Sequence, residues 1–440
     1  MTRRTTTTRR QFLKQTSAAG VAALGFPTII PSSALGLDNT TPPSERLVMG
    51  CIGMGGKGRN NMQTFLSQKD VQVVAVCDVD KKHLGMGSEI VEKAYGNKDC
   101  KSYRDFRELA VRPDIDVVSV ATPDHWHAIT TVWSLNCGKD VYCEKPLANS
   151  VHEGRAICNA AYWNGRIVQC GSHERSGDNA RFACELVRNG RIGKLHTIRI
   201  NLPDDDPHHK QAKELSEAPA PQPVPENLDY DFWLGHTPAV PYHEKRVHFW
   251  WRFNLAYGGG EMTDRGAHVI DIGQLGAGMD DTGPIEIEAT GTSNPKSLYN
   301  VFWNYKFVNT YANGLKMIGE AKGPRGLKFE GTDGWIFIHI HGGKLEASSE
   351  SLLTSKISAN EIQLGRSPGH HRNFLDSVKS RTQPVASAEI GHRTATICHI
   401  NNIAMALGRK LTWNPCCEQF VNDCEANRLL SPSMRWPWSV

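Results

Sequence analysis

The chain contains no apolar run approaching the ~18–20 residues of a stable transmembrane span, so no membrane-crossing helix is expected. Its twelve cysteines include no C-x-x-C pair and no zinc-type spacing, and the adjacent Cys416 and Cys417 are poorly placed to bridge each other. That argues against a zinc ribbon and against a disulfide framework, leaving reduced, buried thiols. A strong charge of either sign is also missing. The net charge is +4, partly carried by Arg3, Arg4, Arg9, Arg10 and Lys14, and no basic stripe remains to suggest a nucleic-acid partner.

What is present is ordinary in bulk and specific in detail. A chain of 440 residues with 39% hydrophobic and 22% charged residues has room for two domains with full cores. The most informative stretch is Val48-Met49-Gly50-Cys51-Ile52-Gly53-Met54-Gly55-Gly56-Lys57-Gly58. A buried strand runs into a glycine-rich turn, and a helix-compatible segment follows. Gly53, Gly55 and Gly58 fit G-x-G-x-x-G: one glycine for the turn, one for close approach to a pyrophosphate, one for helix–strand packing. The next apolar run, 71–77, reads as a parallel strand ending at Asp78, about 20 residues past Gly58, where a carboxylate meets the adenosine ribose. A carboxylate there repels a 2′-phosphate and favours NAD over NADP. Asp78 could instead cap the next helix, with Asp80 taking the ribose role.

Ahead of this lies a segment, residues 1–35, with Arg9-Arg10 before a mildly apolar stretch and small residues at 32–34. It resembles a twin-arginine export signal and implies a periplasmic or otherwise exported protein. Residues 36–45 read as a linker. Export of a folded protein implies that its cofactor travels with it.

Strand and helix signals alternate from 46 to 173, as in a doubly wound parallel sheet. Strands are expected at 115–121, 141–143 and 167–170. Asp124 is placed to cap a helix over 125–136, and Ser150-Val151-His152-Glu153 matches a capping box. Residues 174–440 change character. Short β-branched or alternating runs at 195–200, 285–289, 301–307, 315–318 and 335–340 predict a mostly antiparallel sheet. Hairpin signals stand at Asn313-Gly314 and Gly342-Gly343. Helices are expected at 370–381 and 389–407, a long surface excursion at 203–226, and a tail with Trp436 and Trp438 that wraps back. The fold class is α/β: a Rossmann domain followed by an α+β domain with a large open sheet.

Ligands of doubly wound sheets lie beyond the carboxyl ends of the strands. Two segments fall there: Thr122-Pro123-Asp124-His125-Trp126-His127 and Glu144-Lys145-Pro146. A partly desolvated lysine at a cofactor mouth suits proton transfer, although Lys145 could equally pair with Glu144 at the surface. In the second domain Asp264 and His268 stand at i, i+4, with Asp271 about one turn on. A carboxylate beside an imidazole suits a general base; a structural pair has the same spacing, and with no third histidine at useful spacing no metal is expected. His248-Phe249-Trp250-Trp251-Arg252 offers stacking faces and a guanidinium, fitting a sugar or an aromatic core strand with a salt-bridged arginine.

Together these residues resemble the Gfo/Idh/MocA family, and among its members a secreted, twin-arginine-leader branch. The resemblance covers residue 46 to the C-terminus and rests on the glycine turn, Asp78, the 122–127 segment, Glu144-Lys145-Pro146 and Asp264-x-x-x-His268. It implies Lys145, Asp264 and His268 as the catalytic set. His268 would take the hydroxyl proton, Lys145 would polarise the substrate oxygen and Asp264 would orient the pair. It also implies cofactor contacts from Gly53, Gly55, Gly56, Gly58, Asp78, Thr122, Pro123, His127, Glu144 and Lys145. Substrate contacts would come from Trp126, Trp250, Trp251, Arg252 and Asp271. The expected ligands are NAD and a small carbohydrate, the expected assembly a homo-oligomer. The expected reaction moves hydride between a sugar, polyol or glycoside hydroxyl and bound NAD; redox-neutral glycoside cleavage through transient oxidation is the alternative. The paired carboxylates of ordinary glycoside hydrolysis are not apparent in the sequence. Arg265 and Gln274-Leu275-Gly276 depart from the family pattern and touch the substrate wall.

Overall fold

The first sheet has its topological switch at the strand that feeds the glycine turn. Its strands are β1 (Leu47–Ile52), β2 (Val71–Cys77), β3 (Lys101–Tyr103), β4 (Val117–Val120), β5 (Asp140–Cys143) and β6 (Val168–Cys170). They lie in the order β3-β2-β1-β4-β5-β6, every pairing parallel. The chain winds one way from β1 to β3 and the other way from β4 to β6. A crevice therefore opens above β1 and β4. The structure, a computed structural model, describes residues 41–440. The expected export signal, 1–35, and most of the linker lie outside the described residues. The described end of the linker makes one short helical turn, Pro43–Glu45.

Burial on both faces explains why these strands read as continuous apolar runs. Val117 packs into one core with Met49, Val73, Phe65 and Tyr142. Its neighbour Val118 packs into the other with Ala75, Leu109, Val141 and Cys143. Helix Val151–Trp163 starts as expected, with Ser150 Oγ accepting from Glu153 N at 3.3 Å. The reciprocal half of the capping box does not form, because the buried Glu153 carboxylate instead faces His236 at 3.4 Å.

The second sheet consists of β7 (Leu195–Asn201), β8 (Glu286–Thr292), β9 (Trp303–Thr310), β10 (Lys316–Glu320), β11 (Gly326–Gly331), β12 (Trp335–His339), β13 (Leu345–Ala347), β14 (Leu411–Asn414) and β15 (Gln419–Phe420). Their order is β13-β12-β11-β7-β10-β9-β8-β14-β15. Only β7 and β10 pair in parallel; β9–β10 and β12–β13 are antiparallel hairpins at the predicted glycine turns. Sequence reasoning missed β11 and β13–β15, which are short or bounded by glycine. Helix Gly266–Ala277 lies across this sheet. A Cβ on Gly276 would come within 2.2 Å of Phe329 Cζ, so the departure at 274–276 is a packing requirement. Gln274 serves the same junction, donating to Met279 O and Thr282 O while Tyr311 Oη donates to its Oε1.

Residues 47–440 pack as one body. The strands of the first sheet all lie before residue 173 and those of the second after it, but the packing crosses that point. Helix His370–Ser380, distant in sequence from the first sheet, places Phe374, Leu375 and Val378 in that sheet's core. The tail returns too: Trp438 sits edge-on to Trp126 with ring centroids 4.8 Å apart, while Trp436 stays exposed. Among the described residues, no helix is long and apolar enough to cross a membrane.

Candidate active site

The crevice above β1 and β4 is a cavity of about 620 Å³. At its floor Gly53 adopts φ +87°, and a Cβ there would strike Ala121 O at 2.6 Å. A Cβ on Gly58 would lie 1.7 Å from Gly53 O, so this glycine permits the close packing of helix Gly56–Leu66 on the turn. Gly55 and Gly56 face open space. The first backbone N–H groups of the helix border that space and present a cradle for a pyrophosphate. Thr122 Oγ1, also at the cavity, is buried without a hydrogen-bond partner. These features fit a dinucleotide.

Asp78 closes β2 and accepts hydrogen bonds from Met54 N (2.6 Å) and Asp80 N (2.8 Å). Burial raises its carboxyl from 3.8 to about 6, outweighing the two backbone donors, and Asp80 adds to the rise. Asp80, not Asp78, caps helix Lys81–Tyr95, accepting from Lys82 N at 2.7 Å. Asp78 is thereby free of the cap and lines the cavity.

The two segments beyond β4 and β5 are tied together by His127. Its Nδ1 lies 2.7 Å from Pro146 O and its Nε2 3.0 Å from Thr122 O. Burial lowers its pKa, and the neutral ring donates through one nitrogen. Glu144 sits beneath the turn with Asn61 Nδ2 at 2.8 Å and Lys57 Nζ at 3.4 Å. Burial would raise its carboxyl; Lys57, Asn61 and Lys145 bring it below the ordinary value.

Lys145 Nζ donates to Asp264 Oδ1 at 2.6 Å and to Asp264 O at 2.7 Å. Arg252 Nε stands 3.7 Å from the other carboxylate oxygen, its guanidinium over the Trp251 ring at 4.4 Å. Burial opposes ionisation of Asp264, but these cations hold it well below the usual carboxylate range. His268 shares the cavity, and its Nδ1 is buried without a hydrogen-bond partner. Burial, then Lys145 and neighbouring imidazoles, push its pKa well down, so the ring is neutral.

Several expectations need correction. Asp264 and His268 do not form a carboxylate–imidazole couple on one helix. The helix breaks at Arg265, between Glu261–Asp264 and Gly266–Ala277, and the Asp264 carboxylate turns to Lys145. Asp271 does not face the cavity. It is fully buried, accepting from Arg175 Nε at 2.8 Å and Thr394 Oγ1 at 3.0 Å. Trp250 also lies outside the cavity lining, stacked on Tyr299 at 5.7 Å. Trp126 borders the cavity as a wall, its indole N–H donating to Trp233 O at 2.9 Å and its ring stacked on Phe232. Residues 248–253 form a 3-10 helix rather than a strand. Asp124 is the first residue of helix Asp124–Asn136 and makes no side-chain cap. It is a cavity carboxyl that sequence reasoning missed, facing Lys145, Asp264 and Arg252, and burial raises its pKa well above 3.8. Lys57, Asn61 and His341 were missed as well; only the Gly342-Gly343 hairpin signal pointed toward the last.

A family model described as "Oxidoreductase family, NAD-binding Rossmann fold" matches residues 47–172. Another, "Oxidoreductase family, C-terminal alpha/beta domain", matches residues 185–440. The chain belongs to the Gfo/Idh/MocA oxidoreductase family, whose Rossmann domain takes NAD. It is similar to a D-glucoside 3-dehydrogenase of Escherichia coli K12, 33% identical over 132 residues, 30% of this chain and 36% of that protein. It is also similar to an alpha-N-acetylgalactosaminidase of Shewanella oneidensis, 27% identical over 208 residues, 42% of this chain and 44% of that protein. The chain thus spans under half the length of the curated relatives it matches. Its fold matches the WlbA dehydrogenase of Bordetella pertussis, solved with NADH and UDP-GlcNAcA, at TM-score 0.61 and 13% identity over 84% of this chain and 99% of that one.

Proposed function

We propose that this protein is an NAD-dependent oxidoreductase acting on a secondary hydroxyl of a sugar, polyol or glycoside. The observation that carries the reading is Lys145, held by Asp264 inside the cavity that also contains the glycine cradle and the neutral His268. Bound NAD supplies the hydride acceptor. Gly55, Gly56, Thr122 and Asp78 would hold it, Lys145 would hydrogen-bond the reacting oxygen, and His268 would accept the hydroxyl proton. Asp264 fixes the ammonium group of Lys145. Trp251 and Arg252 offer an apolar face and a donor to a hydroxylated ring.

Redox-neutral glycoside cleavage is the second reading, favoured by the similarity to the Shewanella glycosidase. Oxidation of a ring hydroxyl acidifies the neighbouring C–H, elimination expels the aglycone, water adds, and the hydride returns. One experiment separates the two: the as-purified protein is offered a panel of free sugars and aryl glycosides, following reduced nicotinamide and aglycone together. NADH formed from a free sugar supports the dehydrogenase. Aglycone released without net NADH supports the eliminating glycosidase. No NAD uptake and no turnover across the panel would end both.

The twin-arginine pattern of residues 1–35 supports export in this proposal, with cofactor retained and reset by substrate. Fractionation that leaves the protein wholly in the cytoplasm would remove that element. Self-association into a homo-oligomer is likewise proposed, and a monomeric mass by light scattering would overturn it.

A further inference from the structure

A cluster of two imidazoles and a carboxylate adjoins His268 and is not used by the hydride chemistry. Glu174 Oε1 lies 3.2 Å from His173 Nε2 and 3.3 Å from His341 Nδ1. Metal–ligand bonds of about 2.0–2.1 Å in a tetrahedral arrangement place ligand atoms roughly 3.3–3.4 Å apart. Two edges of such a site are therefore already formed, and all three ligand atoms lie within 4.8 Å of one another. The His268 ring packs edge-on against both imidazoles, at 4.6 Å from His173 and 5.1 Å from His341.

The backbone supports the cluster. His173 and Glu174 open the short helix after β6, and His341 comes from the β12–β13 turn. His341 holds φ +64°, a left-handed conformation that is uncommon for a residue with a side chain. Its backbone N donates to Glu174 Oε1 at 3.2 Å, and two residues on the Gly343 carbonyl accepts from Asn179 Nδ2. The turn is thus pinned with its imidazole toward Glu174.

Among the described residues, two other clusters have comparable ligand spacing. Asp80, with His83 and His248, caps helix Lys81–Tyr95 beside Asp78 and so stands with that acid rather than with His268. Asp206, with His208 and His209, is paired with Arg265 at 3.2 Å and Arg325 at 3.0 Å, cations that would compete with a metal. Glu174 Oε1 is approached by the two imidazoles and the His341 backbone N–H, with no Lys or Arg ion pair among the described residues. Its ligand set, with the imidazoles partly exposed, matches a site that keeps open positions for an exogenous oxygen.

We propose that His173, Glu174 and His341 bind a divalent transition-metal ion of the zinc class, with open positions that take vicinal hydroxyls of the substrate beside His268. Binding of the ion stands independently of the dehydrogenase reading; its role toward substrate rests on that reading. Such an ion would act as a Lewis acid on a substrate hydroxyl and fix which ring carbon faces the cofactor.

The test uses the full chain, stripped with chelator and titrated with ZnCl2 by calorimetry and with CoCl2 by visible absorption. The expected result is one ion per chain and a cobalt spectrum of a low-coordinate nitrogen–oxygen site. His173→Ala and His341→Gln should each weaken affinity by more than about 100-fold, while unchanged NAD binding and melting temperature establish the fold. Glu174→Gln should weaken it as well. His83→Ala and His208→Ala should leave affinity unchanged. Absence of stoichiometric uptake, or uptake indifferent to His173 and His341, would overturn the site. Loss of uptake in His83→Ala or His208→Ala alone would move the ion elsewhere and overturn it too. Metal uptake by a chain that turns over no sugar would leave the site standing and remove only the reaction.

Discussion

Lys145 Nζ and the Asp264 carboxylate meet at 2.6 Å although 119 residues separate them in the chain. One residue follows a strand of the first sheet, and the other ends a short helix beside the second. Their contact ties the turn after β5 to the helix break at Arg265 within one cavity.

Lys145→Met should therefore lower kcat by about 10²–10⁴-fold, the usual contribution of a positioned proton-transfer group, while leaving NAD affinity near the original. It also leaves a largely buried carboxylate without its main partner, costing about 2 kcal/mol after allowance for its partial exposure. The double variant Lys145→Met/Asp264→Asn should recover the melting temperature but not the rate. Steady-state kinetics with thermal melts checks both. Retained turnover in Lys145→Met would remove the lysine from the chemistry.

Asp78 should make NAD affinity depend on pH. Its folded pKa of about 6 lies above the ordinary 3.8, so affinity should fall as pH drops through 6 and the ribose acceptor becomes protonated. The linkage to folding has the opposite sense. Between about pH 4 and 6 the free folded protein holds a proton that the unfolded chain has released, so this group favours folding less as pH rises through that window. Asp78→Asn should cost NAD about 10–100-fold in affinity and flatten the pH profile, the loss of one charge-assisted acceptor. Fluorescence titration of NADH from pH 5 to 8 reads both effects.

The two kinds of glycine in the turn should separate stability from binding. Gly58→Ala forces a Cβ against Gly53 O and should lower the melting temperature. Gly55→Val meets no protein atom within 4 Å at its Cβ, so it should melt near the original while blocking NAD. Equal melting losses in both would mean that the cradle at Gly55 is not open.

Arg175 and Asp271 form a buried pair rather than a substrate contact, with side chains 2% and 0% exposed. Arg175→Met should destabilise by about 3–5 kcal/mol because it strands the Asp271 charge. Asp271→Asn in a protein that still folds should leave KM for the substrate within about twofold. A specific rise in KM without loss of stability would restore Asp271 to the substrate wall. Chemical denaturation and kinetics on the same preparations decide.

Much of the first domain was legible because its signals are local. A strand buried on both faces must be apolar throughout, a turn at φ +87° requires glycine at 53, and the acid at 78 must close the next strand. The second sheet was less legible where β11 begins and ends in glycine and where β14 and β15 follow helix Ala388–Leu407. Asp124 was read as a helix cap because Asp before a helical stretch is the common capping pattern. Its burial beside Lys145 and Arg252 is invisible to periodicity.

The fold class and the segments that border the candidate site were written into the sequence, since glycine spacing, strand hydrophobicity and the Glu144-Lys145-Pro146 turn act over a few neighbours. Which of them touch was decided by the tertiary structure. The break at Arg265 sent the Asp264 carboxylate to Lys145 instead of His268, burial sent Asp271 to Arg175, and two distant turns brought His173, Glu174 and His341 together. Long-range packing sets the direction of a side chain once a helix ends or a strand pairs, and no local spacing encodes that.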